Sequence, residues 1–450
     1  MSPTPRPHFL VLTFPLQGHI APALRLARRL LAAAPDALVT FSTAAAAHRR
    51  MFAEGEGGDG DGRLELLPFS DGTENGFVKR GDAAELGAYM ASFHASGRRS
   101  VGEMVDALAA RGRPVSSVVY TLLLPPSPCW PSTATTSTAS AASSTSTAAD
   151  HSFVLEFPGL PPMAAGDLPS FLTEATDPSD YFHSIFTTFR DLFDALDRET
   201  PKATVLVNVF QELEADTLAA VGAYDVLPIG PVLPSGDDAA LFKQNDAKYM
   251  EWLDTKPAGS VVYVAFGSLT VMAKGQVDEL LHGLEESGRP YLCVVRKDNK
   301  AAVAETGDAT AAAAARRNGV VVEWCDQVRV LSHAAVGCFV THCGWNSVLE
   351  SIASGVPMVG VPRMSDQQMN ARLVERDWRV GVRAEVDGGD GVLRAAELRR
   401  RVEEVMGDGE AAEVRRSAAA WKRAVAEALG KGGSSDRNLT AFVEGARSVI

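Results

Sequence analysis

Short apolar runs rich in β-branched residues alternate along this chain with longer stretches whose apolar positions recur every three to four residues. His8 to Thr13 precedes the amphipathic segment Pro22 to Ala34, and Leu38 to Ser42 precedes Ala44 to Phe52. A strand covered on both faces reads as a continuous apolar run and a surface helix as one apolar stripe, so this rhythm predicts βαβ units around a parallel sheet. The rhythm returns with Val261 to Phe266, Gln276 to Glu286, Tyr291 to Arg296, Val320 to Glu323, Val336 to Thr341, Trp345 to Ser354 and Val356 to Val361. Between the two series stand Pro228, Pro231 and Pro234, then Ser235-Gly236-Asp237-Asp238, punctuation that reads as an inter-domain linker. The expected fold class is α/β, two Rossmann-like doubly wound domains facing across a cleft, with ligands beyond the carboxyl ends of the strands.

Some segments break the pattern. Glu54 to Gly62 and Lys300 to Ala315 read as surface loops, and every residue from Ser132 to Ala149 is Ser, Thr or Ala, directly after Pro125-Pro126-Ser127-Pro128-Cys129-Trp130-Pro131. So little apolar surface does not offset ordering entropy, and the stretch is expected to be loose rather than a strand or helix. Gly55 to Gly60 spells GxGxxG and Asp59-Gly60-Asp61 spells DxD. A dinucleotide fingerprint must lie between a strand and a helix, and these glycines sit among carboxylates that repel phosphate, so a solvated acidic loop is the better reading.

Composition narrows the function. A chain of 450 residues with 46% hydrophobic and 22% charged residues is globular and long enough for two cores. Lys plus Arg is 43 and Asp plus Glu 56, hence 43 − 56 = −13, a balance that argues against nucleic acid or an anionic membrane as partner. Cys129, Cys293, Cys325, Cys338 and Cys343 are odd in number with no CxxC pair, so neither a disulfide framework nor a zinc ribbon is expected. The apolar run Phe9 to Leu16 is short, contains Pro15 and leads into Gln17-Gly18-His19 rather than a cleavage site; no stretch approaches the ~18 apolar residues of a span, and a cytoplasmic protein is expected.

Candidate chemistry concentrates after Trp324. The order is Trp324-Cys325-Asp326-Gln327, His333, Val336 to Thr341, His342-Cys343-Gly344-Trp345-Asn346-Ser347, Glu350, Gly355-Val356-Pro357, Pro362 and Asp366-Gln367-Gln368-Met369-Asn370. A buried strand delivers His342, and the turn through Gly344 opens a helix whose first amides, near Asn346 and Ser347, suit a diphosphate. Glu350 lies one turn beyond Asn346, placed to accept hydrogen bonds from a ribose diol. Trp324 ends a separate strand and offers a face to a base. Taken singly, His342 and Trp324 are as readily core residues and Glu350 an exposed helix charge; the ordered constellation is what points to a site.

This stretch closely resembles the plant secondary-product glycosyltransferase signature, the mark of the UDP-sugar-dependent family 1 glycosyltransferases with the GT-B fold. The resemblance extends to Phe14-Pro15-Leu16-Gln17-Gly18-His19-Ile20, Pro158-Gly159-Leu160-Pro161-Pro162, Asn208 to Glu214 and Val262 to Ser268, and is greatest to the group that glucosylates auxin-type acids, anthocyanins and crocetin. It implies an acceptor-binding domain over 1–232, a linker over 233–245, a UDP-sugar domain over 246–432, and a final helix, 433–450, returning to the first domain. It also implies an inverting transfer with His19 as general base, since imidazole titrates near physiological pH. Trp324 stacks on uracil, Gln327 and Glu350 hold the ribose, His342, Asn346, Ser347 and Ser268 stabilise the diphosphate, and Trp345, Asp366 and Gln367 position the sugar. Neither a metal nor a cofactor is required, with UDP-glucose and a small acceptor as the only partners and a monomer expected.

Two departures qualify this. The family often orients its histidine with an aspartate at the end of the strand corresponding to Val118 to Leu122, where this chain has Thr121. Between Leu124 and Asp150 the family has a helix, a buried strand and an aromatic-rich helix, whereas this chain has Pro, Ser, Thr and Ala, the composition of Tyr, His and Phe codons read one nucleotide late. The competing reading is therefore a relative that binds UDP-sugar without a formed acceptor pocket. A nicotinamide-dependent oxidoreductase needs a fingerprint that Gln17-Gly18-His19 does not supply.

Overall fold

The computed structural model describes residues 6–52, 61–77, 83–121, 133–137, 154–174, 181–199, 202–234, 247–268, 270–296, 318–409 and 411–448. The chain divides into two compact units, one of Met1–Ala165, Ser170–Leu241 and Glu427–Ile450, the other of Gly166–Pro169 and Phe242–Ala426. The acidic GxGxxG of residues 55–60, the linker residues 235–238, the loop 300–315, and all of 125–149 except 133–137 lie outside the described residues. Asp61, the second carboxylate of the DxD, is described, and its Oδ2 lies 2.6 Å from Nε of Arg63.

The first unit is built on β1 (His8–Leu12), β2 (Leu38–Ser42), β3 (Leu64–Leu66), β4 (Ser117–Thr121) and β5 (Thr133–Ser137), a short antiparallel pair β6 (Val154–Leu155) and β7 (Met163–Ala164), then β8 (Thr204–Val207) and β9 (Asp225–Pro228). Its parallel sheet runs β3-β2-β1-β4-β5-β8-β9. All five residues of β1 are buried, as expected of a central strand covered on both faces. One face packs on the helix Gln17–Ala33 through Phe9, Val11, Leu24, Ala27 and Leu30; the other carries Leu10, Leu12 and Tyr120 against Phe93 and Leu108 of the helix Ala83–Ala110. The helix Ser434–Ser448 joins the first face, with Phe442 5.8 Å from Phe9 ring to ring.

Two sequence expectations are corrected here. Thr133–Ser137 is a strand, paired in parallel with β4 (Tyr120 opposite Thr135) and with β8 (Thr135 opposite Val205), not a loose segment. Three of its five residues are threonine, which is β-branched and favours extended backbone, and its neighbours on both sides offer amides and carbonyls that would otherwise be buried unpaired. The first helix begins at Gln17 rather than Pro22, so His19 lies in its first turn; Pro22 falls inside the helix, where it forfeits one hydrogen bond without stopping it.

The second unit has β10 (Val261–Ala265), β11 (Tyr291–Val294), β12 (Gly319–Val322), β13 (Val336–Thr341), β14 (Met358–Gly360) and β15 (Gly381–Arg383), all parallel, in the order β12-β11-β10-β13-β14-β15. The helix Lys274–Glu286 covers one face through Val277, Leu280 and Leu284, beside Leu398, Val402 and Val405 of the helix Ala395–Met406. Strand order reverses direction at β1/β4 in one sheet and at β10/β13 in the other. Crevices at such switch points are where open α/β sheets hold ligands. Among the described residues no helix is long and apolar enough to cross a membrane.

Candidate functional site

In the second unit, β10 and β13 lie side by side with Ala265 opposite Thr341, so the turns that follow both strands open at one place. Gly267 has φ +68°, a left-handed conformation that glycine adopts without Cβ strain. A Cβ there would fall 2.6 Å from Nε2 of His342, and one on Gly344 only 2.5 Å from the same nitrogen. The imidazole thus lies in a cradle made by two residues without side chains. Cys343, between His342 and Gly344, also holds positive φ, +61°, and this sharp turn aims the next helix. Burial lowers the His342 pKa to about 4, so the ring is neutral at physiological pH, and raises the Cys343 thiol to about 12, which makes it a packing group and not a nucleophile.

The helix Trp345–Ser354 has Gly344 at its N-cap, a residue with no side chain to compete for the first-turn amides, and ends on Gly355 at φ +72°. Its N-terminus beside His342 provides donors and positive dipole to an anion. Asn346 lies in that first turn, and Ser268 follows Gly267, its carbonyl accepting from Nη1 of Arg296.

One turn along, Ser347 and Glu350 are buried, and Gln327 joins them: its Nε2 donates to Oγ of Ser347 at 2.9 Å and to Oε2 of Glu350 at 2.8 Å. Gln327 opens the short helix Gln327–Leu331, which Asp326 caps by accepting from the Arg329 amide at 3.1 Å. Its Oε1 accepts from the Tyr263 hydroxyl at 3.3 Å, and that hydroxyl, its pKa raised by burial, also lies 3.2 Å from Sγ of Cys325. The result is a carboxylate held in place by an amide, with acceptor capacity left for a diol. Trp324, just before this group, is half-buried.

After β14, Asp366 and Gln367 start the helix Gln367–Arg372. Gln367 Oε1 accepts from the amides of Arg363 at 2.9 Å and Met364 at 3.2 Å, which orients its Nε2 as the remaining donor group. Asn370 Nδ2 donates to Oδ2 of Asp366 and to the Cys343 carbonyl, each at 2.9 Å, and so ties this carboxylate to the His342 turn. Burial pushes the Asp366 carboxyl up. Trp345 packs against Trp378 with ring centroids 6.1 Å apart.

In the first unit, His19 follows β1, half-buried, with its ring 5.7 Å from that of Phe14 at 68°. Desolvation lowers its pKa to about 4, so it is a neutral base with a lone pair to offer. Thr121 does not orient it. Thr121 Oγ1 instead accepts from the Phe14 amide at 3.2 Å and lies 3.5 Å from Oγ1 of Thr13. A threonine side chain is short and its hydroxyl is taken by the turn beside it.

Ser268, His342, Asn346, Ser347, Gln327 and Glu350 are therefore grouped around the ends of β10 and β13, and Asp366 is linked to the His342 turn through Asn370, with Gln367 next to it in sequence. Tyr263, Gly267 and Asn370 stand in stretches that the sequence singles out but have no individual role there, and Arg363 is not among them; Gly267 directly after an apolar strand was a usable signal.

Residues 181–412 match the model of the family described as UDP-glucoronosyl and UDP-glucosyl transferase. The chain is 39% identical to UDP-glycosyltransferase 75C1 of Solanum lycopersicum, over 97% of this chain and 98% of that one. It is also 39% identical to a chloroplastic crocetin glucosyltransferase of Gardenia jasminoides, over 98% and 97%. Among solved structures it resembles Os79 of O. sativa in complex with UDP, with TM-score 0.81 and 28% identity, over 98% of this chain and 100% of that one. The chain belongs to the UDP-glycosyltransferase family and has the GT-B fold: it is a glycosyltransferase enzyme.

Proposed function

We propose that this enzyme transfers glucose from UDP-glucose, with inversion, to a hydroxyl or carboxylate of a small plant metabolite such as a phenolic, a flavonoid, an auxin-like acid or an apocarotenoid acid. The observation that carries this is the Gln327–Ser347–Glu350 group beside the glycine-cradled His342 and the N-terminus of Trp345–Ser354. A nucleoside diphosphate needs donors for its phosphates and acceptors for its ribose, and this arrangement supplies both. Trp324 offers a face to uracil, and Trp345, Asp366 and Gln367 supply polar and aromatic contacts to the sugar. The relatives named for crocetin, and for phloretin in Malus domestica, support an acceptor that is a small plant metabolite.

His19 in its neutral form takes the acceptor's proton as the oxygen attacks the anomeric carbon from the side opposite the departing UDP. For a carboxylate acceptor, no proton need move, and the ring positions the nucleophile. Charge on the leaving diphosphate meets the helix amides and the neutral imidazole of His342. We read the enzyme as metal-independent, monomeric and cytoplasmic, in keeping with its amide-based anion site and negative charge.

The test is a screen of UDP-glucose against phenolic and carboxylic acceptors, with and without a chelator. His19→Ala should keep UDP affinity and lose ~10²- to 10⁴-fold in turnover on hydroxyl acceptors. UDP binding with no transfer to any acceptor by the wild-type chain would establish the non-catalytic reading instead. Against that reading stands β5, which keeps the acceptor-side sheet continuous from β4 to β8.

A further inference from the structure

A buried carboxylate outside the groups assigned above is Asp71, fully removed from solvent in the turn after β3. Such a group is costly unless every lone pair is used. Its Oδ1 accepts from the amide of Thr73 at 3.1 Å and from Thr73 Oγ1 at 3.0 Å, and its Oδ2 from the Tyr89 hydroxyl at 3.0 Å. Its carbonyl accepts from Ser92 Oγ at 3.1 Å. Tyr89 and Ser92 are one turn apart on the helix Ala83–Ala110, so the turn is fastened to that helix at two points. Gly72, at φ +80°, permits this: a Cβ there would lie 2.3 Å from Ser92 Oγ.

The Tyr89 ring closes an aromatic cage. It lies 5.2 Å from Phe77 and 6.2 Å from Phe14, both edge-on, and is stacked at 5.8 Å on Phe93. Phe14 in turn contacts Phe77 at 5.5 Å, Phe93 at 5.2 Å and His19 at 5.7 Å, and its amide is held by Thr121 Oγ1. Phe14 is therefore fixed at its backbone from β4 and at its ring from the cage. Among the described residues no side chain hydrogen-bonds the His19 imidazole, so this ring contact is what the structure offers to set its orientation. The Tyr89 hydroxyl remains a donor because burial and the adjacent carboxylate push its pKa up.

We propose that Asp71 and Tyr89 are positioning residues: their buried bond locks the aromatic cage around Phe14, and Phe14 holds the His19 ring where a carboxylate partner would otherwise do so. The relay runs Asp71, Tyr89, Phe14, His19, with Thr121 acting on Phe14 rather than on the histidine. It rests on the reading of His19 as base. Besides Asp71, a charged group acting on Tyr89 is Arg50, from the helix Ala45–Met51, whose Nη1 donates to the Asn75 carbonyl at 3.4 Å; His94 lies beside Phe93, 6.0 Å ring to ring.

The experiment compares full-length wild type with Tyr89→Phe, Asp71→Asn and Phe14→Leu. It measures kcat and KM with UDP-glucose and a phenolic acceptor, UDP affinity by calorimetry, and titration of the His19 ring by NMR, assigned with His19→Gln. Tyr89→Phe keeps the ring and removes only the bond. It should lower kcat about tenfold or more, as small displacements of a reacting group do, with UDP affinity and the KM for UDP-glucose unchanged. The His19 titration should move up from about 4 toward its ordinary value as the ring gains water. Asp71→Asn has one oxygen where the carboxylate uses two; with that oxygen kept on the Thr73 amide, its Nδ2 faces the Tyr89 hydroxyl, which can accept instead of donate, so kcat should fall less than in Tyr89→Phe. If Tyr89→Phe does not fold, Phe14→Leu carries the same test, since it removes the ring that touches His19 and leaves the Asp71 bond intact. Wild-type kcat with an unchanged His19 titration overturns the proposal, and so does a loss of UDP affinity in step with kcat, which general unfolding would give. Full transfer by His19→Ala would instead remove the base assignment, while the His19 titration in the Tyr89 and Phe14 variants would still decide whether the cage holds the ring.

Discussion

Gly267 and His342 meet at the ends of adjacent strands, so closely that a Cβ on the glycine would stand 2.6 Å from Nε2 and 2.7 Å from Cε1 of the ring. The φ of +68° at Gly267 makes the position doubly demanding. Gly267→Ala must adopt a left-handed conformation, a cost of about 1–2 kcal/mol for an L-residue, and must also displace the imidazole. The expected outcome is a folded protein whose UDP affinity falls at least tenfold by calorimetry. An alanine variant that binds UDP as wild type does would remove the cradle from the anion site.

Glu350→Ala takes away a buried carboxylate that accepts from Gln327. If Glu350 also accepts from ribose hydroxyls, charge-assisted bonds of about 1.5–3 kcal/mol are lost, which corresponds to a roughly 10- to 150-fold weaker Kd for UDP. Gln327→Ala should weaken UDP less than Glu350→Ala, because it orients the carboxylate through a neutral amide. Equal Kd values for wild type and Glu350→Ala would reject this ribose assignment.

Both site histidines titrate near 4 in the fold against an ordinary 6.5, through desolvation. Between those values the unfolded chain binds more protons, so this part of the stability is complete above 6.5 and is lost as pH falls toward 4. Glu214 opposes it: burial raises its carboxyl to about 7 from 4.5, and its contribution is lost as pH rises through that interval. For catalysis the consequence is specific. The acid limb of kcat/KM, taken from brief initial rates, should lie well below pH 6; a limb at 6.5 would show a solvated His19.

Thr135 lies in the middle of β5, opposite Tyr120 on one side and Val205 on the other. Thr135→Pro removes a ladder hydrogen bond from the interior of a sheet, where proline is not tolerated, and should destabilise the first unit. Loss of amide protection in β4 and β8 by hydrogen exchange is the measurement, with the second unit as internal reference. Unchanged protection would mean that β5 does not pair in solution.

The alternation of apolar runs and amphipathic stretches determined the two parallel sheets, because a strand covered on both faces can only be written as a continuous apolar run; β13 and the helix Trp345–Ser354 were legible to the residue. The order from Trp324 to Gln367 likewise carried the candidate site residues, since most follow a strand end or open a helix by their place in the sequence, and Glu350 lies one turn into such a helix. Residues 133–137 were misread because local composition has no knowledge of two neighbouring strands with unpaired amides, and it is those neighbours that make a threonine-rich stretch extended. Spacing could not show that Gln327 would reach Glu350, 23 positions away, or that Tyr263 would support it, since β10 and β13 must first pair in register. The same holds for His19: the sequence placed a histidine after β1, but only packing assigned Thr121 to Phe14, put Tyr89 on a buried Asp71, and lowered the pKa of the imidazole by excluding water from around it.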